Sequence, residues 1–441
     1  MKKIYIRTLG CEKNTVDSEN AARLLTDAGC SVIDDPSEAD VLIVNTCGFI
    51  GDAKMQSIEA IFEMNALKEE SRGSKTLIVS GCLTQRYAEE LKKSLPEADY
   101  ILGVNDYDKL PDIVLGKEQG RVHASACEKA YKELGGRSLL TRPWTRSIKI
   151  AEGCSNVCSY CIIPKIRGRY RSRREEDILK EAAELAAAGC KELVIIAQDV
   201  TFYGRDLGKK NALPQLLRKI SAIEGIRWIR LMYCYEDEIT DELIEEIRAN
   251  DKVCKYIDIP IQHCSDDILK AMDRKSTHSS IVGTVTKLRK QIPGITIRTT
   301  LITGFPGERI PQFEELLDFI EEMRFDRLGA FAYSREEGTK AAELKGQVRS
   351  DVKARRLDRI MTLQQRISLE NNTKLIGRTM DVLVEETEDD GTCTGRTYMD
   401  APEIDNSVIF KGAPGTVPGD FVRVKITDAF DYDLTGEEIL S

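Results

Sequence analysis

Hydrophobic and polar positions along the chain fall into three textures. Through residue 115, short apolar runs alternate with amphipathic segments. KIYIRTL (3–9), SVI (31–33), VLIVNT (41–46), TLIVSG (76–81) and YILGV (100–104) have the length and β-branched content of strands. Helical periodicity fills 17–28, 52–70 and 84–94. Strands alternating with helices predict a doubly wound α/β domain with a parallel, flavodoxin-like sheet in the order 2-1-3-4-5.

From about 146 to 372 the alternation resumes. Strands are predicted at 147–153, 192–199, 227–233, 255–261, 295–304 and 325–333. Helices are predicted at 175–188, 213–224, 240–249, 265–273, 279–291 and 311–323, with a closing helix at 346–372. Six such units predict a partial (β/α)6 barrel with its site at the carboxyl ends of the strands. After Lys374 come short strands at 379–386, 391–399, 407–410 and 420–430, separated by Gly, Pro and Asp turns, which predict a small antiparallel β-barrel. The domain limits are therefore 1–120, a polar linker at 121–145, 146–372 and 373–441.

A chain of 441 residues has ample material for three cores. No apolar run approaches the roughly 18 residues of a membrane span, and the N-terminus reads as a first strand rather than a signal peptide, so a cytoplasmic protein without membrane contact is expected. Thirteen cysteines, an odd number, point to metal ligation and reduced thiols rather than a disulfide framework.

The cysteines concentrate the chemistry. Cys154, Cys158 and Cys161 form a C-x3-C-x2-C run, with Gly153 before it and Pro164 after it. No fourth Cys or His follows locally to close a structural zinc site. Three soft ligands in one loop suit an iron-sulfur cluster with one iron free of protein. Cys11, Cys47 and Cys82 follow the first, third and fourth strands, neighbours in the predicted sheet, and form a second three-thiolate site assembled by tertiary structure.

The C-x3-C-x2-C stretch, with Tyr160 just before its last cysteine, resembles the radical S-adenosylmethionine (SAM) superfamily. LGCEKNTVDSE (9–19) and NTCGFIGDAKMQSIE (45–59) resemble the N-terminal domain of its methylthiotransferase branch, and the end of the chain resembles the TRAM domain. The resemblance implies two 4Fe-4S clusters and SAM, which serves as methyl donor and as source of a hydrogen-abstracting radical. The residues after Cys11 are closer to the branch acting on an aspartate β-carbon of small-subunit ribosomal protein twelve. The branch acting on isopentenyl-adenosine in transfer RNA is the alternative. A sulfur donor and an electron donor such as flavodoxin or ferredoxin are implied partners.

By the same resemblance, Gln198 and Asp199 face the SAM amino group and ribose, and Gly304 lets backbone approach the adenine. Arg230 and Arg298 meet a SAM or substrate carboxylate, or else act as barrel salt-bridge partners. His263 is a core histidine or a site residue. The basic run from Lys165 to Arg174 is a solvated face or a contact for SAM, substrate or nucleic acid. Residues 374–441 hold six Lys and Arg against 15 Asp and Glu, as large an excess as the whole chain's −9. Such a module repels RNA and attracts a basic protein, so RNA contact is not favoured. It is expected to be separable from the barrel.

Overall fold

A computed structural model describes residues 1–127, 130–140 and 142–439; residues 128, 129 and 141 of the linker lie outside the described residues, as do 440 and 441. The first sheet contains β1 (Lys3–Thr8), β2 (Ser31–Val32), β3 (Val41–Thr46), β4 (Thr76–Gly81), β5 (Tyr100–Gly103) and β6 (Val122–His123). Its order is β2-β1-β3-β4-β5-β6, all parallel. The predicted order holds, and the sheet gains a sixth strand from residues assigned to the linker. Two residues are too few to register as an apolar run. β3 is buried at every position, as a parallel strand covered on both faces must be.

The first helix, Glu12–Asp27, starts five residues earlier than periodicity predicts, directly after Cys11. Its first two turns bury Lys13, Asn14, Asp17, Ser18, Glu19 and Asn20. Buried polar side chains erase the hydrophobic stripe that would have marked the start.

β7 (Thr145–Lys149) opens the central domain and is followed by a short hairpin of β8 (Ala151–Glu152) and β9 (Arg171–Ser172) that encloses the Cys154–Cys161 loop. The barrel strands continue with β10 (Glu192–Ile196), β11 (Trp228–Leu231), β12 (Val253–Asp258), β13 (Thr296–Thr303) and β14 (Arg327–Ala332). They form an open parallel sheet ordered β14-β13-β12-β11-β10-β7, the partial barrel predicted.

The terminal domain closes a five-strand barrel from β15 (Thr379–Thr387), β16 (Thr392–Arg396), β17 (Val408–Lys411), β18 (Phe421–Ala429) and β19 (Leu434–Glu438). Two corrections apply. β19 was not predicted, because LTGEE carries one large apolar residue, and its pairing with β17 is parallel rather than antiparallel.

The terminal barrel is not a loosely tethered module either. Leu383, Ala401 and Phe421 pack with Val194, Trp228, Met232 and Tyr256 of the central domain and with Val16 of the first helix. The end of β16 and the loop after it supply ionic and polar partners to the inward-facing barrel residues. Arg396 pairs with Glu192 at 2.7 Å, and Asp400 with Arg327 at 2.6 Å. Asp405 takes Tyr256 Oη at 2.7 Å and Arg298 Nε at 3.2 Å.

Candidate active site at the domain junction

The register of the first sheet aligns Thr8 with Asn45 and Asn45 with Ser80, so the cysteines that follow emerge along one edge. Asn14 then ties their loops together. Its Nδ2 donates to Leu9 O at 2.7 Å and to Thr46 O at 3.1 Å, and the Cys82 thiol donates to its Oδ1 at 3.8 Å. Ser57 Oγ accepts from Cys47 N at 3.0 Å and donates to Cys47 O at 3.0 Å. Gly48 has no room for a side chain, since a Cβ there would stand 2.7 Å from Leu83 Cα. Cys11 is exposed, Cys47 half-buried and Cys82 buried. Burial pushes the Cys47 thiol up, and the Cys82 thiol to about 11 although Arg167 pulls it down.

The second cysteine set sits on the hairpin loop. Cys154 N donates to Gly168 O at 3.1 Å, pinning the base of the loop. Gly153 has φ +80°, and a Cβ on it would run into the carbonyl oxygens of Arg169 and Gly168, so only glycine fits. Cys158 Sγ is 3.7 Å from Tyr235 Oη. Tyr160 packs against Ile268, Met272, Phe305 and Tyr333, which fixes the turn between Cys158 and Cys161. Burial raises the Cys154 thiol to about 11 and the Cys161 thiol to about 12. A set of buried thiols costs free energy to ionise unless a cation is bound, which suits metal ligands.

Each of the two sets offers three thiols, soft donors of the kind that iron-sulfur clusters take. Among the described residues, the one trio of ligand atoms drawn within 4.8 Å is Cys264, His278 and Glu315. Neither of the two cysteine sets is that compact.

The two sites adjoin. Cys82 packs with Ile162 and Ile166 of the loop that carries Cys161. The loop after β11 touches both sides: Lys13 lies over the Tyr233 ring at 3.5 Å, and Tyr235 meets Cys158. Arg86 and Lys54 of the first domain both bond Glu336 beyond β14.

Between the sites runs a buried ionic network. Arg167 Nη1 donates to Asp17 Oδ2 at 2.8 Å and Glu152 Oε2 at 3.1 Å. Lys149 joins the same two carboxylates. Burial opposes the charge on Glu152, but Arg167 and Lys149 outweigh it and hold the carboxyl well below its usual range. Arg171 and Arg173 are also buried, and Arg173 is engaged by Glu133 and Glu181. The basic run is thus split: Arg167, Arg171 and Arg173 are buried, while Lys165, Arg169 and Arg174 are exposed. Hydropathy could not show this, because the partners are scattered: Asp17 in the first domain, Glu133 in the linker, and Glu152 and Glu181 on neighbouring elements.

Of the residues assigned to SAM, Gln198 and Asp199 sit just beyond β10. Gln198 Nε2 donates to Glu152 Oε1 at 2.7 Å, while its buried Oε1 has no protein partner. Asp199 accepts from Asn156 Nδ2 at 3.0 Å and Thr201 Oγ1 at 2.7 Å, and burial raises its carboxyl to about 6.

Three further residues find their partners within the protein, Arg230 and Arg298 by the salt-bridge alternative. Arg230 is wholly buried, bonded to Glu192 at 2.7 Å and to the carbonyls of Tyr398 and Thr397. Arg298 is bonded to Asp258 and Asp405. Both are salt-bridge partners of the barrel interior. The side-chain space above Gly304 is filled by Lys353 of the closing helix, so helix packing explains that glycine, and Glu308 accepts its N–H at 2.6 Å. His263 is a core histidine: its Nδ1 accepts from Ser265 N at 3.0 Å.

Sequence reasoning missed Asn14, Asp17, Ser18, Glu19, Lys149 and Glu152, and named Arg167 only as one of a basic run. The available signal was polar density: DSE and its neighbours recur on consecutive turns of a helix that must pack.

Comparison with known proteins agrees with this architecture. Three family models match in order: Uncharacterized protein family UPF0004 over residues 3–103, Radical SAM superfamily over 148–320 and TRAM domain over 376–439. A protein of Thermoanaerobacter sp. (strain X514) is 49% identical over 442 residues, spanning 99% of this chain and 100% of its own. One from Caldanaerobacter subterraneus subsp. tengcongensis is 50% identical with the same coverage. Both are named ribosomal protein uS12 methylthiotransferase RimO. Among solved structures, the radical S-adenosylmethionine methyltransferase TsrM from Kitasatospora setae superposes with a TM-score of 0.58 at 15% identity, over 77% of each chain. The cobalamin-dependent radical enzyme OxsB gives 0.54 at 13% identity, over 83% of this chain and 56% of that one. These two share the fold. At about half the residues identical over nearly the full length of both chains, this chain belongs to the RimO family of ribosomal protein uS12 methylthiotransferases.

Proposed function

We propose that this protein inserts a methylthio group at the β-carbon of an aspartate of ribosomal protein uS12, with SAM as methyl donor and as radical source. Cys154, Cys158 and Cys161 would hold one 4Fe-4S cluster and Cys11, Cys47 and Cys82 another. When bound, a three-cysteine cluster supplies an open iron for SAM and an electron for its reductive cleavage.

The observation that carries the reading is the abutment of Cys82 on Ile162 and Ile166. Hydrogen abstraction at one site and sulfur delivery from the other serve one carbon only if the sites are near neighbours.

The chain's own residues then have definite tasks. The free Oε1 of Gln198 is an acceptor suited to the SAM ammonium, and Asp199 is suited to its ribose. Tyr160, fixed by Met272 and Phe305, orients the loop at the reacting face. The acidic terminal barrel favours approach of a basic ribosomal protein. Electron and sulfur donors complete the reaction, flavodoxin or ferredoxin being suited to the former.

The test is anaerobic incubation of reconstituted protein with SAM, reductant, a sulfur source and uS12. The reading expects deoxyadenosine together with methylthiolated uS12. Deoxyadenosine formation with uS12 left unmodified, and transfer RNA modified in its place, would refute it.

A further inference from the structure

Arg167 lies six residues beyond Cys161, yet its guanidinium crosses the domain boundary. Nη2 donates to Cys82 Sγ at 3.2 Å and to Asn14 Oδ1 at 2.8 Å. Its other face is held by Asp17 and Glu152. The side chain is 3% exposed, so the charge acts on the sulfur with little solvent screening. Lys149 and Arg171 are its cationic neighbours; Arg171 donates to Arg167 O at 2.9 Å. Of the six cysteines assigned to clusters, Cys82 is the one that accepts a guanidinium hydrogen bond among the described residues.

We infer that Arg167 is the positioning residue of the Cys11–Cys47–Cys82 site: a cation supplied by the loop of one cluster sets the reduction potential of the other. This rests on the reading that Cys11, Cys47 and Cys82 hold a cluster. A charged donor on a ligating sulfur favours the more negative, reduced state and so raises the potential. The same bond joins the two domains at the point where both sites are assembled. The Cys82 sulfur therefore has this charged donor only while the Cys154–Cys161 loop is seated. The carboxylates of Asp17 and Glu152 bond Nη1, so they offset part of the charge and fix the direction of the guanidinium, while Nη2 stands nearest Cys82.

The experiment uses the full chain with both cysteine sets intact, beside the same chain carrying Cys154→Ala, Cys158→Ala and Cys161→Ala, which identifies the signal of the second set. Iron content and the midpoint potential followed by electron paramagnetic resonance are measured with Arg167, Arg167→Lys and Arg167→Gln. The expected result is a more negative potential in Arg167→Gln and a value near the parent's in Arg167→Lys. Loss of iron from Arg167→Gln alone, with the lysine variant loaded, also supports a role for the charge. An unchanged potential in a loaded Arg167→Gln protein overturns the inference. So does equal iron loss from both variants with a lowered melting temperature, which would make Arg167 purely structural. Absence of iron from the parent triple variant would instead refute the cluster assignment itself.

Discussion

Arg230 and Glu192 meet at 2.7 Å with neither side chain exposed, and the carbonyls of Thr397 and Tyr398 complete the guanidinium's shell from the terminal domain. Arg396 takes the second oxygen of the same glutamate. The interior of the open barrel is thus finished by another domain. Removing residues 374–441 strips partners from Arg230, Arg298 and Arg327, and breaking a buried pair costs ~3–5 kcal/mol. The truncated chain is expected to lose cooperative unfolding, and Arg396→Ala to lower stability by ~3 kcal/mol. Thermal denaturation of apo protein checks both. A truncated chain melting at the full-length temperature would contradict the interdomain role.

Asn14 connects the carbonyls behind Cys11 and Cys47 to the Cys82 sulfur. Asn14→Ala leaves the backbone acceptors at Leu9 and Thr46 without this donor and frees all three loops. The reconstituted variant should lose about half its iron, the share of one of two 4Fe-4S clusters, while reductive SAM cleavage persists. Chemical iron analysis beside a deoxyadenosine assay separates the two effects.

Gly153→Ala should act on the other side. The new methyl group meets the carbonyl oxygens of Arg169 and Gly168 in a backbone conformation of φ +80° that alanine resists. The hairpin base opens, and SAM cleavage falls to background. Iron at the Cys11, Cys47 and Cys82 site remains, giving the opposite pattern to Asn14→Ala.

His263 supplies a pH dependence. Burial, with Arg356 adding to it, pushes its imidazolium from 6.5 down to about 3, so the folded protein holds it neutral. A depressed folded value means that the unfolded chain binds the proton first. Stability from this group is complete above 6.5 and drains away as pH falls toward 3, by up to ~1.4 kcal/mol per pH unit. His263→Asn should flatten the fall of denaturant-derived stability just below pH 6.5. Equal slopes in the two proteins would show that the ring does not titrate in this way.

Much of the architecture was legible because it rests on periodicity. β3 and β4 are uninterrupted apolar runs, and the cysteines after them could be placed on one edge from strand order alone. What escaped prediction depends on distant partners. Arg230 could be read as a ligand or as a salt-bridge partner, because its compensating Glu192 comes from another strand and its carbonyl acceptors at Thr397 and Tyr398 from another domain. Arg167 stood within a run of cations that could be a solvated face or a contact for SAM, substrate or nucleic acid. Its acceptors in the first domain, Asn14 and Asp17 on the helix after Cys11 and Cys82 just beyond β4, are distant in sequence. β19 was missed since its burial comes from closing a ring, not from its own composition.

The most direct test of the account is mass spectrometry of ribosomal protein uS12 and of transfer RNA from isogenic strains with and without this protein. The account predicts that uS12 loses the mass of one methylthio group, localised to an aspartate, when the protein is absent, and that transfer RNA methylthiolation is unchanged. Unaltered uS12 with loss of methylthiolated adenosine from transfer RNA would contradict it.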